Sequence, residues 1–150
     1  MTSAAAPEIL LVEDNPDDLK LALRALKKAA VSHAVQVARD GADALDFIFC
    51  EGPYAHRRIE DTPKLILLDL KLPKMDGLDV IRRIKGDPRT RGVPIVVLTS
   101  SQEQNDVVNS YHLGVNSYIV KPVDFESFAA AVQNLGMYWL LLNQAPRPKS

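Results

Sequence analysis

The segment Leu65-Ile66-Leu67-Leu68-Asp69 is a continuous apolar run that ends directly in a carboxylate. Two similar apolar runs lie before and after it along the chain, at Ile9–Val12 and Ile95–Leu98. Short runs without a polar face are typical of strands that helices cover on both sides of a sheet. We therefore predict that these three segments are buried strands, with two further strands at Ala34–Ala38 and Tyr118–Val120.

Helix signals separate the predicted strands. Asn15 is a good N-cap, and Pro16 suits the first helical position that follows it. Asp40 can cap the second helix, and Gly86-Asp87-Pro88 can end the third. The predicted starts of the five helices are Asn15, Asp40, Leu78, Ser101 and Asp124. Strands and helices that alternate in this way predict an α/β domain with a five-stranded parallel sheet and helices on both faces.

The predicted domain spans residues 8–144. We expect a disordered N-terminus at residues 1–7 and a flexible tail at residues 145–150, where Pro and Lys are frequent. The polar stretch Glu51–Lys64 is expected to be an exposed loop. Six arginines are interpreted as solvated charges, namely Arg57, Arg58, Arg82, Arg83, Arg89 and Arg91.

Composition argues against several classes of function. Of the 150 residues 47% are hydrophobic and 25% charged, which is the globular average, and the net charge is −1. The absence of a basic excess argues against binding to nucleic acid or an anionic membrane. With Cys50 as the single cysteine, no internal disulfide can form. Because the sequence shows no signal peptide and no membrane span, we expect a cytoplasmic protein.

Chemically active side chains follow four of the predicted strands. Glu13 and Asp14 follow the first strand, Asp69 the third, Thr99 the fourth and Lys121 the fifth. Ligands of open α/β sheets bind outside the carboxyl ends of the strands, so we expect these groups to converge in one crevice. Three adjacent carboxylates repel one another, and a hard dication such as Mg²⁺ relieves that repulsion. A hydroxyl and an ammonium group opposite such a site can hold a phosphate, and a carboxylate can become phosphorylated.

Each of these residues also has an ordinary structural explanation. An acid after a strand is usually a helix cap or a solvated loop residue, and that explanation suits Asp14 best when it is considered alone. Lys121 alone would be a surface lysine, and Thr99 alone a hydroxyl bonded to backbone. The ordinary structural explanation suits Asp69 less well, because Asp69 directly extends a predicted buried strand. Their joint occurrence at the ends of four strands is much rarer by chance.

The motifs themselves resemble the response-regulator receiver family, and the resemblance covers nearly the whole chain in order. They are Ile9-Leu10-Leu11-Val12-Glu13-Asp14-Asn15, Leu67-Leu68-Asp69-Leu70-Lys71-Leu72-Pro73-Lys74-Met75-Asp76-Gly77, Val97-Leu98-Thr99-Ser100 and Ser117-Tyr118-Ile119-Val120-Lys121-Pro122. A narrower resemblance, carried by Glu51-Gly52-Pro53-Tyr54-Ala55 and Tyr138-Trp139, is to single-domain regulators that partner bacterial phytochrome kinases.

The resemblance implies a flavodoxin-like, doubly wound sheet in the order 2-1-3-4-5 and a phosphorylation switch. Asp69 would accept a phosphoryl group from the phosphohistidine of a sensor histidine kinase. Asp14, Asp69 and the main-chain carbonyl of Lys71 would bind Mg²⁺, with Glu13 helping through water.

The resemblance also gives roles to the later motifs. Thr99 and Lys121 would hold the phosphoryl oxygens, and Tyr118 would turn inward when Thr99 moves. Pro122 restricts the backbone of Lys121, and a cis bond between the two would aim the ammonium group. Lys71 overhangs the site, which bears on the dephosphorylation rate.

Two other functions are less consistent with the sequence. A true phosphatase or phosphotransferase acting on small molecules would need a lidded pocket and a further acid or base, and no such residue is evident. A degenerate receiver would lack Asp69, Thr99 or Lys121, and all three are present. The chain leaves no room for a DNA-binding output domain after Asn143, so we expect output through protein contacts and no catalysis beyond the protein's own phosphotransfer and autodephosphorylation.

An apolar stripe on the last predicted helix suggests a homodimer. Its residues repeat at spacings of three and four, which is the pattern of a helix–helix seam. The ordinary explanation is that the stripe only covers the sheet, but the helix would be nearly 30 Å long against about 17 Å for a strand. The interface residues expected on the overhanging part and just before it are Phe128, Leu135, Trp139 and Leu142.

Overall fold

A computed structural model describes residues 9–28, 35–72, 75–100, 113–115, 117–121, 126 and 130. The strands are β1 Ile9–Val12, β2 Val35–Ala38, β3 Leu65–Asp69, β4 Ile95–Ser100 and β5 Ser117–Lys121. The helices are α1 Pro16–Lys28, α2 Gly41–Phe49 and α3 Gly77–Lys85, with a short 3-10 helix at Gly52–Tyr54. Within this described part of the chain, no helix is both long and apolar enough to cross a bilayer.

The five strands form one parallel sheet in the order β2-β1-β3-β4-β5, so the expected topology is confirmed. Successive side chains of β1 and β3 enter two different cores, as the alternation of a strand requires. Leu10 and Leu68 belong to the core shared with α2 and α3, whereas Leu11 and Leu67 belong to the core shared with α1. Because both faces are buried, β1 is apolar at every position, and β3 is apolar at every position before its last residue, Asp69.

The predicted caps of the first two helices are confirmed. The Oδ1 atom of Asn15 accepts the N–H groups of Asp17 and Asp18 at 2.9 and 3.0 Å, and Asp40 accepts the N–H of Asp43 at 2.7 Å. Helix α3 begins one residue before the predicted Leu78, because Asp76 caps it by accepting the N–H of that leucine at 3.0 Å. Such caps satisfy N–H groups that have no partner within the helix.

Most residues of the two last predicted helices lie outside the described residues, which have helical backbone at Glu126 and Ala130. The expected helix starts at Ser101 and Asp124 lie outside them too, as do Pro122 and the four dimer-interface residues. The predicted disordered ends at 1–7 and 145–150 are likewise not described.

The prediction of an exposed loop at Glu51–Lys64 is wrong in one respect, because part of this segment packs on the core. Tyr54 meets the ring of Phe47 edge to face with centroids 5.2 Å apart, and its hydroxyl donates to Asp43 Oδ1 at 3.0 Å. Burial, with help from the Asp43 carboxylate, raises the pKa of Tyr54. Pro63 is buried where the segment enters β3.

Arg57 anchors the same segment and is not a solvated charge. Its guanidinium lies 3.7 Å from the centroid of the Phe47 ring, within the range of a cation–π interaction. It also donates to the carbonyl of Phe47, to the carbonyl of Asp61 at 2.7 Å and to Cys50 Sγ at 3.5 Å. Sequence reasoning missed this role because the partners are mostly backbone carbonyls, which leave no side-chain pattern.

Candidate functional site

The carboxyl end of β1 places one acid inside the protein and one in solvent. Glu13 is fully buried, and its Oε2 atom accepts the N–H of Asn15 at 3.2 Å. The Glu13 N–H continues the sheet by donating to the carbonyl of Ala38 at 3.0 Å. Asp14 is exposed, and Arg39 donates to its carbonyl at 3.3 Å. The loop after β1 is therefore held by Glu13 on one side and by Arg39 on the other. The sequence analysis missed the contact of Arg39, because nothing in its sequence context indicates a backbone acceptor.

Asp69 ends β3 at the middle of the sheet. It is 7% exposed and pairs in register with Leu98 of β4. Its Oδ1 atom accepts the N–H of Lys71 at 3.1 Å, which fixes the turn that follows the strand. Because Val12 pairs with Leu68, Glu13 and Asp69 occupy equivalent positions at the carboxyl ends of the neighbouring strands β1 and β3. Two acids are thus buried at the point where the strand order reverses, which is where ligands of open α/β sheets bind.

The start of α3 packs closely against the turn that follows Asp69. A Cβ atom at Gly77 would lie 2.7 Å from Leu70 Cα and 2.9 Å from the carbonyl oxygen of Asp69. The Gly77 N–H also donates to the carbonyl of Leu70 at 3.0 Å. Only a residue without a side chain allows this approach, which gives a physical reason for the glycine in the Met75-Asp76-Gly77 motif.

The sheet register places the backbone of Thr99 and Lys121 at the same edge. Thr99 pairs with Val120, one position beyond the pair formed by Leu98 and Ile119. Lys121 ends β5 opposite Ser100. The side chains of Thr99, Tyr118 and Lys121 lie outside the described part of the structure, so their predicted roles stay predictions.

The oxygen atoms of this site suit a hard cation, but the three carboxylates are arranged more openly than expected. Glu13, Asp14, Asp69 and the carbonyl of Lys71 offer only oxygen, which Mg²⁺ prefers. The three carboxylates do not, however, form a closed cage: among the described residues, no three His, Cys, Asp or Glu side chains are grouped to hold a metal. One or two carboxylates supplemented by carbonyl, water and phosphate oxygens remain compatible with Mg²⁺.

The fold and the buried acids at its switch point define a flavodoxin-like α/β protein with an anionic site at the carboxyl edge of the sheet. The family model described as the response regulator receiver domain matches residues 9–133. The chain belongs to this family, whose members are signalling switches of two-component systems and bind a divalent metal.

Two of the relatives are similar to this chain over most of its length. Response regulator Rcp1 of Synechocystis sp. is 40% identical over 132 residues, which are 88% of each protein. A structure described as the Mn²⁺-bound form of Rcp1 covers 96% of this chain and 100% of that chain, with 35% identity and a TM-score of 0.78. The bacteriophytochrome response regulator RtBRR is 51% identical with a TM-score of 0.77, covering 95% of this chain and 85% of that one.

A third relative was solved in a modified state. The phosphorylated cyanobacterial phytochrome response regulator RcpA is 40% identical to this chain, with a TM-score of 0.81. That alignment covers 97% of this chain and 100% of that chain. The resemblance to phytochrome-associated regulators is therefore confirmed at the level of sequence and fold.

Proposed function

We propose that this receiver domain is phosphorylated on Asp69 by a sensor histidine kinase and thereby switches its protein contacts. The observation that carries the proposal is the position of Asp69, which ends the central strand β3, is 7% exposed and lies beside the buried Glu13. A carboxylate oxygen of Asp69 would attack the phosphorus of the kinase phosphohistidine. The N–P bond would break, and the imidazole would leave with the bonding electron pair.

The metal bound at this edge is proposed to be Mg²⁺. When bound, it would neutralise charge on the carboxylates and on the transferred group. Asp14, Asp69 and the Lys71 carbonyl would ligate it directly, and Glu13 would act through a water molecule. The burial of Glu13 and its bond to the Asn15 N–H agree with an orienting rather than a mobile carboxylate. We expect Asp14→Ala to lower Mg²⁺ affinity more than Glu13→Ala, as measured by titration; equal losses would contradict this ranking.

The groups on β4 and β5 would complete the switch. Thr99 and Lys121 would bind the phosphoryl oxygens, and Pro122 would fix the backbone of Lys121. Tyr118 would turn inward as Thr99 moves. The sheet register supports this assignment, because Thr99 follows Leu98, the β4 partner of Asp69, and Lys121 ends β5 on the far side of β4. Catalysis would be limited to the protein's own phosphotransfer and autodephosphorylation.

The test is phosphorylation of the purified protein by a small phosphodonor with Mg²⁺. We expect one base-labile phosphoryl group on the wild type and none on Asp69→Asn. Asp79→Asn is the matched control, because this carboxylate is exposed on α3 and bonded to Arg82. Labelling of Asp69→Asn to the wild-type extent would overturn the assignment.

The kinase is proposed to be a bacteriophytochrome, because two of the similar structures are named as phytochrome response regulators. Incubation with bacteriophytochrome and other histidine kinases in the presence of labelled ATP tests this point. Fast transfer from a phytochrome kinase and slow transfer from the others is the expected result. Equal rates from all kinases would remove the preference.

A homodimer is proposed through the last helix, with Phe128, Leu135, Trp139 and Leu142 at the interface. The apolar stripe of the sequence supports it, since exposed apolar patches usually mark interfaces. Sedimentation should show a dimer for the wild type and a monomer for Leu142→Asp. An unchanged Leu142→Asp dimer would move the interface elsewhere.

A further inference from the structure

The end of β2 makes two consecutive hydrogen bonds to the loop that follows β1. Ala38 is the last residue of β2, and its carbonyl accepts the N–H of Glu13 at 3.0 Å. The next residue, Arg39, is exposed, and its Nη2 atom donates to the carbonyl oxygen of Asp14 at 3.3 Å. The loop that carries two of the candidate metal-site acids is therefore fixed to the neighbouring strand.

The peptide group between Asp14 and Asn15 has a hydrogen-bond partner at each end. Its carbonyl oxygen accepts from Arg39 at 3.3 Å, and its N–H donates to Glu13 Oε2 at 3.2 Å. Because a peptide group is planar, its orientation sets the backbone rotations of both residues that it joins. Rotation of this one plane is therefore opposed by two hydrogen bonds.

One of these two bonds would be shared with the metal site. Under the proposed function, the fully buried Glu13 acts on Mg²⁺ through water, so its carboxylate serves both that water and the Asn15 N–H. The bond from Arg39 is not shared in this way, because a guanidinium group has no acceptor atom and cannot ligate a metal. Arg39 can therefore keep its hold on the peptide group when the cation binds.

The orientation of this peptide group affects where the Asp14 carboxylate points. Aspartate has a short side chain with two rotatable bonds, so its carboxylate follows the backbone closely. The far side of the joint is fixed as well, since Asn15 Oδ1 accepts the N–H groups of Asp17 and Asp18 at the start of α1. Mg²⁺ requires near-ideal octahedral geometry, so its affinity depends on the direction of each ligand.

We propose that Arg39 is a positioning residue of the metal site, which holds the Asp14–Asn15 peptide group so that the Asp14 carboxylate faces Mg²⁺. The role rests on the proposed function, because it acts through Asp14 as a metal ligand. The positive charge of Arg39, taken alone, would repel Mg²⁺ and weaken its binding. The charge and the positioning role therefore change the Mg²⁺ affinity in opposite directions, which makes them separable.

An NMR titration of the full chain with Mg²⁺, followed through amide shifts, measures the affinity. In about 1 M KCl the Debye length is about 3 Å, so the effect of the charge is screened. Under these conditions we expect Arg39→Met to bind Mg²⁺ roughly three- to tenfold more weakly than the wild type, as loss of one hydrogen bond implies. Arg39→Lys keeps a donor and should bind Mg²⁺ more tightly than Arg39→Met.

Arg89→Met is the matched control. Arg89 lies between α3 and β4, at the edge of the sheet opposite to Arg39. Its guanidinium donates to Asp87 through Nε and Nη2 at 3.0 and 2.8 Å, and these bonds lower the pKa of Asp87 to about 2. The substitution there also removes a charge and hydrogen bonds but does not reach Asp14, so the Mg²⁺ affinity should stay that of the wild type.

Amide hydrogen exchange of the metal-free protein tests the peptide group directly. The N–H of Asn15 should exchange several-fold faster in Arg39→Met than in the wild type, because the plane that carries it has lost one of its two partners. The N–H of Asp43 is bonded to Asp40 at 2.7 Å and should exchange at the wild-type rate in both proteins. Circular dichroism checks that each variant is folded.

Three results would overturn the positioning role. The first is an affinity of Arg39→Met in high salt that equals that of the wild type or of Arg39→Lys, the second an equal loss in Arg89→Met, and the third an unchanged exchange rate at Asn15. If Asp14→Ala still binds Mg²⁺ weakly in these cases, the proposed function stands without a role for Arg39. If Asp14→Ala binds Mg²⁺ like the wild type, the metal-ligand assignment of the proposed function fails as well.

Discussion

Replacing Gly77 with alanine should disturb both stability and the acceptor site. The added Cβ atom would meet Leu70 Cα at 2.7 Å, the Leu70 carbonyl oxygen at 2.8 Å and the Asp69 carbonyl oxygen at 2.9 Å. Ordinary contact begins at 3.4 Å, so the worst of these is 0.7 Å too short. All three atoms are backbone, and the turn cannot give way without moving Asp69.

The expected cost follows from two opposing effects. Overpacking of a tight site typically costs about 1–3 kcal/mol. Alanine recovers about 0.5–1 kcal/mol through its lower entropy in the unfolded chain. We therefore expect the Gly77→Ala free energy of unfolding to fall by roughly 1–2 kcal/mol, which corresponds to a few degrees of Tm for a domain of this size.

Urea unfolding and the rate of phosphorylation by a small phosphodonor together test this reasoning. Gly92→Ala is the matched control, because its Cβ would meet no atom within 4 Å. The control should be neutral or slightly more stable, with an unchanged rate of phosphorylation. If Gly77→Ala unfolds at the same urea concentration as Gly92→Ala and is phosphorylated at the same rate, the close approach of α3 to the Asp69 turn is not as the structure has it.

Two further predictions concern titrating groups. Asp87 has a folded pKa of about 2 against an ordinary value of 3.8, so its stabilising contribution is complete above pH 3.8 and is lost as the pH falls towards 2. Arg89→Gln should return the Asp87 pKa towards 3.8 in an NMR titration; an unchanged value would show that another group lowers it. The pKa of Tyr54 is raised above 10.0, so stability should fall as the pH rises through and above that value. Tyr54→Phe should cost about 0.5–1.5 kcal/mol in neutral urea unfolding and flatten that alkaline loss; an equally steep loss in the variant would point to a different group.

Much of the fold could be predicted because its strands are covered on both faces. Leu65–Leu68 is apolar at every position, and a short run of this kind is typical of a strand that is buried on both faces. Caps such as Asn15 and Asp40 act over two or three residues, so local sequence contains their signal. Helix α3 was expected to begin at about Leu78 and begins at Gly77, because Asp76 caps it.

The packed segment after α2 could not be predicted in the same way. Tyr54 and Arg57 both depend on Phe47, which lies on another element, and no local pattern records such a contact. The candidate site, too, could be predicted only in part. The strand ends placed Asp69 and Glu13 correctly, yet the sequence could not tell that Glu13 is buried while Asp14 is exposed, because both follow the same strand.

The position of β1 in the sheet has a consequence for how the chain folds. Ile9 pairs with Val35 on one side and with Leu65 on the other, which is 56 residues further along the chain. During synthesis, β2 can therefore pair with one edge of β1 early. The other edge of β1 stays unpaired until β3 has been synthesised. Closing that longer loop is entropically expensive and slows folding. Until it closes, β1 presents an unpaired apolar edge, the kind of surface that invites aggregation in partly folded chains.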